Sequence, residues 1–249
     1  MERRDVRRAR GRSRELRVRH FARYDRDRRA RTGVPEVVLA EGKTTEHLLE
    51  ILRTLRKQGL GALVSRPTAA QLRALRRAAR DGLPITFLAR GRLARLAGPL
   101  GGRTVSGRIA LVTAGTADVP AAEEAEAVLR ALGVGVTVSH DVGVAGIRRL
   151  ERALARLERS RPQAYLVFAG REGALPTVLA GLVRAPVIGV PTSVGYGRGG
   201  RGESALLAML QSCAPIAVVN IDAAVPAALF AAQLVAATAR RSGRSSGRG

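Results

Sequence analysis

The chain contains one thiol, Cys213, and so one side chain that can form a covalent adduct with a carbon electrophile near neutral pH. Residue type alone leaves a second reading open, that of a small buried hydrophobe. Glu172 lies in AGREGALP (Ala169–Pro176), with Gly170 and Arg171 before it and Gly173 after it. A carboxylate at such a glycine-flanked helix start can serve as a general base, or can simply sit well in the helix dipole. TAGTAD (Thr113–Asp118) offers Gly115 for a tight turn, a hydroxyl at Thr116 and a carboxylate at Asp118. Asp118 could cap the next helix, or the loop could hold a phosphate or ribose. Asp141, in SHDVGVAG (Ser139–Gly146), has the same two readings, a cap or a polar site residue. PTSVGYG (Pro191–Gly197) supplies Ser193 and Gly195 and runs into GYGRGGRG (Gly195–Gly202). That string falls between a strand and an apolar helix expected to end at Cys213, which predicts a mobile active-site loop more than an RNA-binding tail.

EGKTT (Glu41–Thr45) resembles the end of a phosphate loop, but the glycine needed five residues before Gly42 is replaced by Val37. Val37 belongs to an apolar run, so no loop cradles a phosphate. Lys43 remains as a point charge at a helix start, able to meet an anion. The three histidines, His20, His47 and His140, are far apart and predict no metal site built on them.

These residues need elements that bring them together. From Arg108 onward, five unbroken apolar runs appear: Ile109–Val112, Val134–Val138, Tyr165–Phe168, Val187–Val190 and Ile216–Val219. Each is followed by a segment that can form a helix. Runs without polar alternation suit strands buried on both faces, and β-α alternation predicts a doubly wound parallel sheet of about five strands. TAGTAD, SHDVGVAG, AGREGALP, PTSVGYG and NID (Asn220–Asp222) each follow a strand. They fall on the carboxyl edge, where open α/β sheets take ligands. The first third reads as a smaller α/β domain over residues 15–104, with a helix opening near Thr44 and another near Thr68. Its end, Gly98–Gly107, reads as a linker. The catalytic domain then covers 105–239, between basic tails at 1–14 and 240–249.

All but two of the 43 basic residues are arginine, and the formal net charge is +23. The stretch 105–235 is nearly neutral, with 12 basic and 10 acidic residues, so the excess lies in the ends and the first third. With 3% aromatic residues there is little to stack on bases, and nucleic acid is not the expected partner. A single cysteine predicts a reducing compartment, and no secretory leader is legible, so the expectation is cytoplasmic. The apolar stretch Ala214–Ala237 is broken by Pro215, Asn220, Asp222 and Pro226 and predicts no membrane span.

FARYD…RTGVPEVVLAEGKT (Phe21–Thr44), TAGTADVPAAEEA (Thr113–Ala125), DVGVAGIRRL (Asp141–Leu150), AGREGALPTVLAGLV (Ala169–Val183) and PTSVGYG…ALLAMLQSCA…VVNID (Pro191–Asp222) occur in this order. Together they resemble the LarB family, carboxylase/hydrolases of nickel-pincer nucleotide biosynthesis, over about Phe21–Ala232. The second half also resembles the more distant AIR carboxylase (PurE) fold, whose AGxxxHLP loop has a histidine where this chain has Ala174. The resemblance implies carboxylation of the pyridinium ring of nicotinic acid adenine dinucleotide with CO2 or bicarbonate, and cleavage of the phosphoanhydride. The products would be pyridinium-3,5-biscarboxylic acid mononucleotide and AMP. It also implies that Cys213 forms a ring adduct and Glu172 removes the ring proton. Gly115, Thr116, Asp118, Asp141, Gly170, Arg171, Ser193, Gly195 and Lys43 would bind substrate. Magnesium (Mg2+) could assist the hydrolysis. The related fold assembles as a symmetric homo-oligomer, usually an octamer. One departure is Ala223–Pro226, where the family continues with Asn-Gly and further glycines. Alternatives from other classes are a carboxylase or mutase acting on another nucleotide, and a non-catalytic nucleotide- or RNA-binding protein.

Overall fold

A computed structural model describes residues 15–101 and 105–245, and the side chains as far as Thr238. The chain divides into two compact units, Met1–Arg103 and Thr104–Gly249.

In the first unit a short antiparallel hairpin, β1 (Glu15–Val18) and β2 (Ala22–Asp25), precedes helix α1 (Arg28–Thr32). A four-stranded sheet follows from β3 (Val37–Leu39), α2 (Thr45–Lys57), β4 (Ala62–Ser65), α3 (Ala69–Arg80), β5 (Ile85–Leu88) and β6 (Leu93–Leu96). Its order is β3-β4-β6-β5, with β3 parallel to β4 and the other pairs antiparallel. Thr44 caps α2 by accepting from the His47 amide, and Thr68 with Gln71 forms a reciprocal capping box on α3. Leu48, Ile51, Leu52 and Leu55 recur at helical spacing and are buried against Val64, Leu75 and Leu96. Buried Gln71 also donates to the carbonyls of Ala40 and Lys43, at 2.9 and 2.8 Å. The EGKT loop is thus held by a glutamine on the next helix.

The second unit contains the parallel sheet. Its strands are β7 (Arg108–Thr113), β8 (Gly135–Ser139), β9 (Ala164–Ala169), β10 (Val187–Pro191) and β11 (Ile216–Val218). They are ordered β11-β10-β9-β7-β8, and every pair is parallel. β7 and β9 are buried along almost their whole length, as their unbroken apolar runs require. Helices α5 (Ile147–Arg159), α6 (Ala174–Ala180) and α7 (Glu203–Leu210) cover one face, where Leu150, Leu157, Leu175 and Met209 meet Val112, Tyr165 and Val167. Helices α4 (Val119–Ala131) and α8 (Ala224–Ser245) pack on each other and on the strands.

Several sequence expectations shift. The first unit contains a mixed sheet with an extra strand, β6, and the hairpin β1–β2. The helix expected to end at Cys213 stops at Leu210, capped at Gln211, so Cys213 lies in the turn before β11. It is exposed, which removes the reading as a buried hydrophobe. The last helix continues through Ser245, so the tail read from residue 240 begins inside it; alanine and arginine are strong helix formers. The tail at 1–14 and residues 246–249 lie outside the described residues. No helix among the described residues is long and apolar enough to cross a membrane.

Candidate active site at the carboxyl edge of the parallel sheet

The sheet order places β7 between β8 and β9, so the chain passes over β7 on its way from β8 to β9. The crevice at such a reversal lies between the loops after β7 and β9. Here those loops are Ala114–Asp118 and Gly170–Gly173.

Asp118 ties them together. Its carboxylate accepts the Gly115 amide at 2.8 Å and the Thr192 hydroxyl at 2.6 Å, and also a backbone bond from Gly170. Asp118 and Thr192 are both buried. Asp118 therefore does not cap α4; its side chain folds back over the 3-10 turn Thr116–Asp118, and Pro120 starts the helix. Burial raises its pKa above the usual carboxylate range, and the nearby Asp222 carboxylate adds to the rise. Asp222 itself accepts the Ser193 amide at 3.0 Å. Thr192 and Asp222 are functional candidates that local spacing could not single out, because both act through partners on distant strands.

Asp141 is no helix cap either. Its carboxylate pairs with Arg149 on α5 at 2.5 Å, and its amide donates at 3.2 Å to the Thr113 hydroxyl, which also meets His140 Nδ1 at 3.3 Å. α5 begins six residues after Asp141, too far for capping.

Glu172 and Arg171 are exposed and precede α6, whose N-cap is Gly173. With Tyr196, Gly199 and Ser204 they line an open cavity of about 260 Å³. The Arg171 guanidinium lies over the Tyr196 ring at 4.9 Å from its centroid, and its Nε is 4.0 Å from a Glu172 oxygen. Tyr196 is 77% exposed. Gly170 is buried with no room for a side chain: a Cβ there would lie 2.3 Å from the Val194 carbonyl oxygen. Thr116, Ser193 and Gly195 are exposed on the same edge.

Backbone strain gathers there as well. Asp141, Arg171, Arg201 and Asp222 all adopt positive φ, between 50° and 60°, in loops that follow strands of this sheet.

Of the other predicted residues, Cys213 stands apart from this group and Lys43 belongs to the other unit. Cys213 precedes β11, whose first residue Ile216 is in register with Val187, the first residue of β10. The thiol is therefore on the amino edge of the sheet. The neighbouring Ser212 accepts the Thr177 hydroxyl at 2.9 Å, which docks this turn against the middle of α6. The Lys43 ammonium donates to the Leu39 carbonyl at 2.8 Å.

Among the described residues, no three His, Cys, Asp or Glu side chains converge as the ligands of a metal would. The carboxyl edge offers Asp118, Asp141 and Asp222, each already hydrogen-bonded or ion-paired within the protein, and the exposed Glu172. This donor set does not make a protein-built metal cage.

A doubly wound parallel sheet with carboxylates, hydroxyls and strained loops at its reversal point belongs to the class of α/β ligand-binding units. Residues 108–244 match the AIR carboxylase family model, and residues 16–96 match that of the LarB/PurE-like N-terminal domain. The chain belongs to the AIR carboxylase family and is of the LarB type. It is 39% identical over 210 residues to an uncharacterized protein of Methanocaldococcus jannaschii, covering 83% of this chain and 81% of that one. It is 30% identical over 131 residues to the N5-carboxyaminoimidazole ribonucleotide mutase of the same organism, covering 51% and 78%. Among solved structures, Treponema denticola PurE is similar at 21% identity and a TM-score of 0.40, covering 55% of this chain and 92% of that one. Family membership supports a carboxylase-type role.

Proposed function

We propose that this chain carboxylates the pyridinium ring of nicotinic acid adenine dinucleotide through a Cys213 adduct and hydrolyses its phosphoanhydride. The observation that carries the reading is the exposed position of the only thiol, Cys213, within a LarB-type chain. A pyridinium carbon is electrophilic and cannot attack carbon dioxide. Addition of the Cys213 thiolate to the ring carbon beside the nitrogen forms a C–S bond and moves the ring electrons into a neutral dienamine. The adjacent carbon then attacks CO2, which leaves that carbon with both a hydrogen and the new carboxylate. Glu172 takes this proton, the C–H pair re-forms the ring double bond, and the thiolate departs with the C–S pair. Charge and electrons balance without an oxidant.

The remaining residues bind and orient. The exposed Tyr196 face is a stacking platform for a cationic ring, and the Arg171 guanidinium suits its carboxylate. The Gly115–Asp118 loop, with the exposed Thr116 hydroxyl, would take phosphate or ribose. Water attacks a phosphorus of the anhydride and AMP leaves. Magnesium carried by the substrate phosphates would supply charge neutralisation there. The opposite-edge placement of Cys213 and Glu172 supports a site shared between copies of the chain in a homo-oligomer. Leu207 and Leu210 on α7, close in sequence to Cys213, are 58% and 61% exposed, which fits burial against such a copy.

The test is incubation of the purified protein with nicotinic acid adenine dinucleotide and bicarbonate, followed by mass spectrometry. The dicarboxylated mononucleotide together with AMP supports the reading. Carboxylation of aminoimidazole ribonucleotide, or rearrangement of its N5-carboxylated form, would instead assign the chain to the carboxylase- or mutase-like alternative.

A further inference from the structure

The first unit has an open groove of about 390 Å³ between α2 and α3. Its lining includes Leu49 together with Ala70, Ala74 and Ala78, three alanines at four-residue spacing on α3. These three side chains lay a strip of methyl groups along the floor of the groove. Arg53 from α2 and Arg73 and Arg77 from α3 line the same groove.

None of these three guanidiniums makes a hydrogen bond or close ion pair with a carboxylate among the described residues. Four other arginines of the unit do have partners: Arg19 with Glu50, Arg23 with Glu15, Arg31 with Asp25, and Arg76 over the Phe87 ring. Glu50, one turn before Arg53, is already hydrogen-bonded by Arg19 at 3.0 Å. Asp81, at the end of α3, is the one acid on the lining, so the groove keeps a net charge of two positive units. Arg73 and Arg77 are four residues apart on one helix, a like-charge spacing that is unfavourable until an anion lies between them. Arginine's planar fork takes phosphate oxygens in pairs, and a methyl floor beside it accepts a planar ring.

We propose that the α2–α3 groove binds a nucleoside phosphate, with Arg53, Arg73 and Arg77 on the phosphate and the Ala70–Ala74–Ala78 face under the base. The groove is built from residues of the first unit alone, and the inference does not depend on the reaction proposed for the second.

Calorimetric titration of the full chain with AMP, adenosine and inorganic pyrophosphate tests it, with bound equivalents as the readout. Arg73→Gln/Arg77→Gln should weaken one AMP equivalent at least tenfold, and Arg73→Lys/Arg77→Lys should weaken it less. Ala74→Leu fills the floor and should lose that equivalent of AMP while pyrophosphate still binds. Adenosine should bind more than tenfold more weakly than AMP. All three substituted positions are at least partly exposed, and circular dichroism verifies that the variants are folded. The proposal is overturned if the glutamine pair changes no AMP equivalent by more than twofold, or if Ala74→Leu leaves AMP binding intact. It is equally overturned if AMP does not bind while duplex DNA does with a steep salt dependence, since the arginines would then serve a polyanion.

Discussion

The Asp118 carboxylate accepts the Thr192 hydroxyl at 2.6 Å across 74 residues of chain, and both side chains are buried. This bond joins the loop after β7 to the loop after β10, on either side of the loop after β9. Thr192→Val keeps the shape and removes the donor, leaving a buried carboxylate short of one partner. The expected cost is about 1–3 kcal/mol of unfolding free energy. Chemical denaturation should register it as a lower midpoint with an unchanged slope.

The same carboxylate should leave a signature in the pH dependence of stability. Its folded pKa lies above its unfolded value, chiefly through burial. The native state then holds the Asp118 proton more tightly than the unfolded chain does. Its contribution is fully present below the unfolded carboxylate pKa and is lost as pH rises through the folded value. Asp118→Asn, which cannot ionise, should therefore gain stability relative to the parent as pH rises from the carboxylate range toward neutrality. Denaturation midpoints measured across that window check the sign. A gap between variant and parent that stays constant or moves the other way would contradict it.

The limits of the sequence follow from how far apart partners lie. The central parallel strands were legible because burial on both faces leaves unbroken apolar runs such as Ile109–Val112 and Tyr165–Phe168. β6 was not, because LARL is short and carries Arg95. The hairpin β1–β2 does alternate, with Leu16, Val18, Ala22 and Tyr24 the more buried positions, but each strand has only four residues and lies among arginines. At the site, the strand-end loops announced themselves through glycine and turn residues. Their partners did not: nothing local to Thr192 or Arg149 signals that one meets Asp118 and the other Asp141. The end of α7 was misplaced because Gln211 can continue a helix and no glycine or proline stands between it and Pro215, while the Ser212 hydroxyl bonds to Ala214 and turns the chain.

Gly170 tests how tightly the edge is built. A Cβ there would meet the Val194 carbonyl oxygen at 2.3 Å and the Thr192 hydroxyl at 2.8 Å, and backbone cannot yield as a side chain can. Gly170→Ala should cost at least about 1–3 kcal/mol by overpacking. It should also displace the Arg171–Glu172 segment, which would appear as lost turnover beyond the loss of folded protein. A variant with parental stability and turnover would mean that this loop is slack.

Cys213→Ala should reduce carboxylation to background, because the chain has no second thiol. Cys213→Ser should fare little better, since a hydroxyl is scarcely ionised near neutral pH. Glu172→Gln should slow turnover by about 10²–10⁴-fold, the usual contribution of a positioned base. It should also let the sulfur adduct accumulate as a mass shift on Cys213. Parental turnover from Cys213→Ala would remove covalent catalysis from the proposed mechanism.

The opposite-edge placement of Cys213 and Glu172 makes the last prediction. Glu172 follows β9 on the carboxyl edge, whereas Cys213 precedes β11 on the amino edge. α7, which separates the two ends, has eight residues and is about 12 Å long at 1.5 Å per residue. One pyridinium ring does not span that distance, so each site should take its thiol from one chain and its carboxylate from another. Cys213→Ala and Glu172→Ala chains are each inactive under this scheme, but a mixed oligomer contains some sites with both groups intact. If the two chains mix at random in equal amounts, about a quarter of the sites should be whole, and activity should return in proportion. Subunit exchange is verified first by native mass spectrometry of the mixed species. Exchange without any recovery would place both groups in a single chain and require the turn at Ser212–Ala214 to move toward Glu172 during turnover.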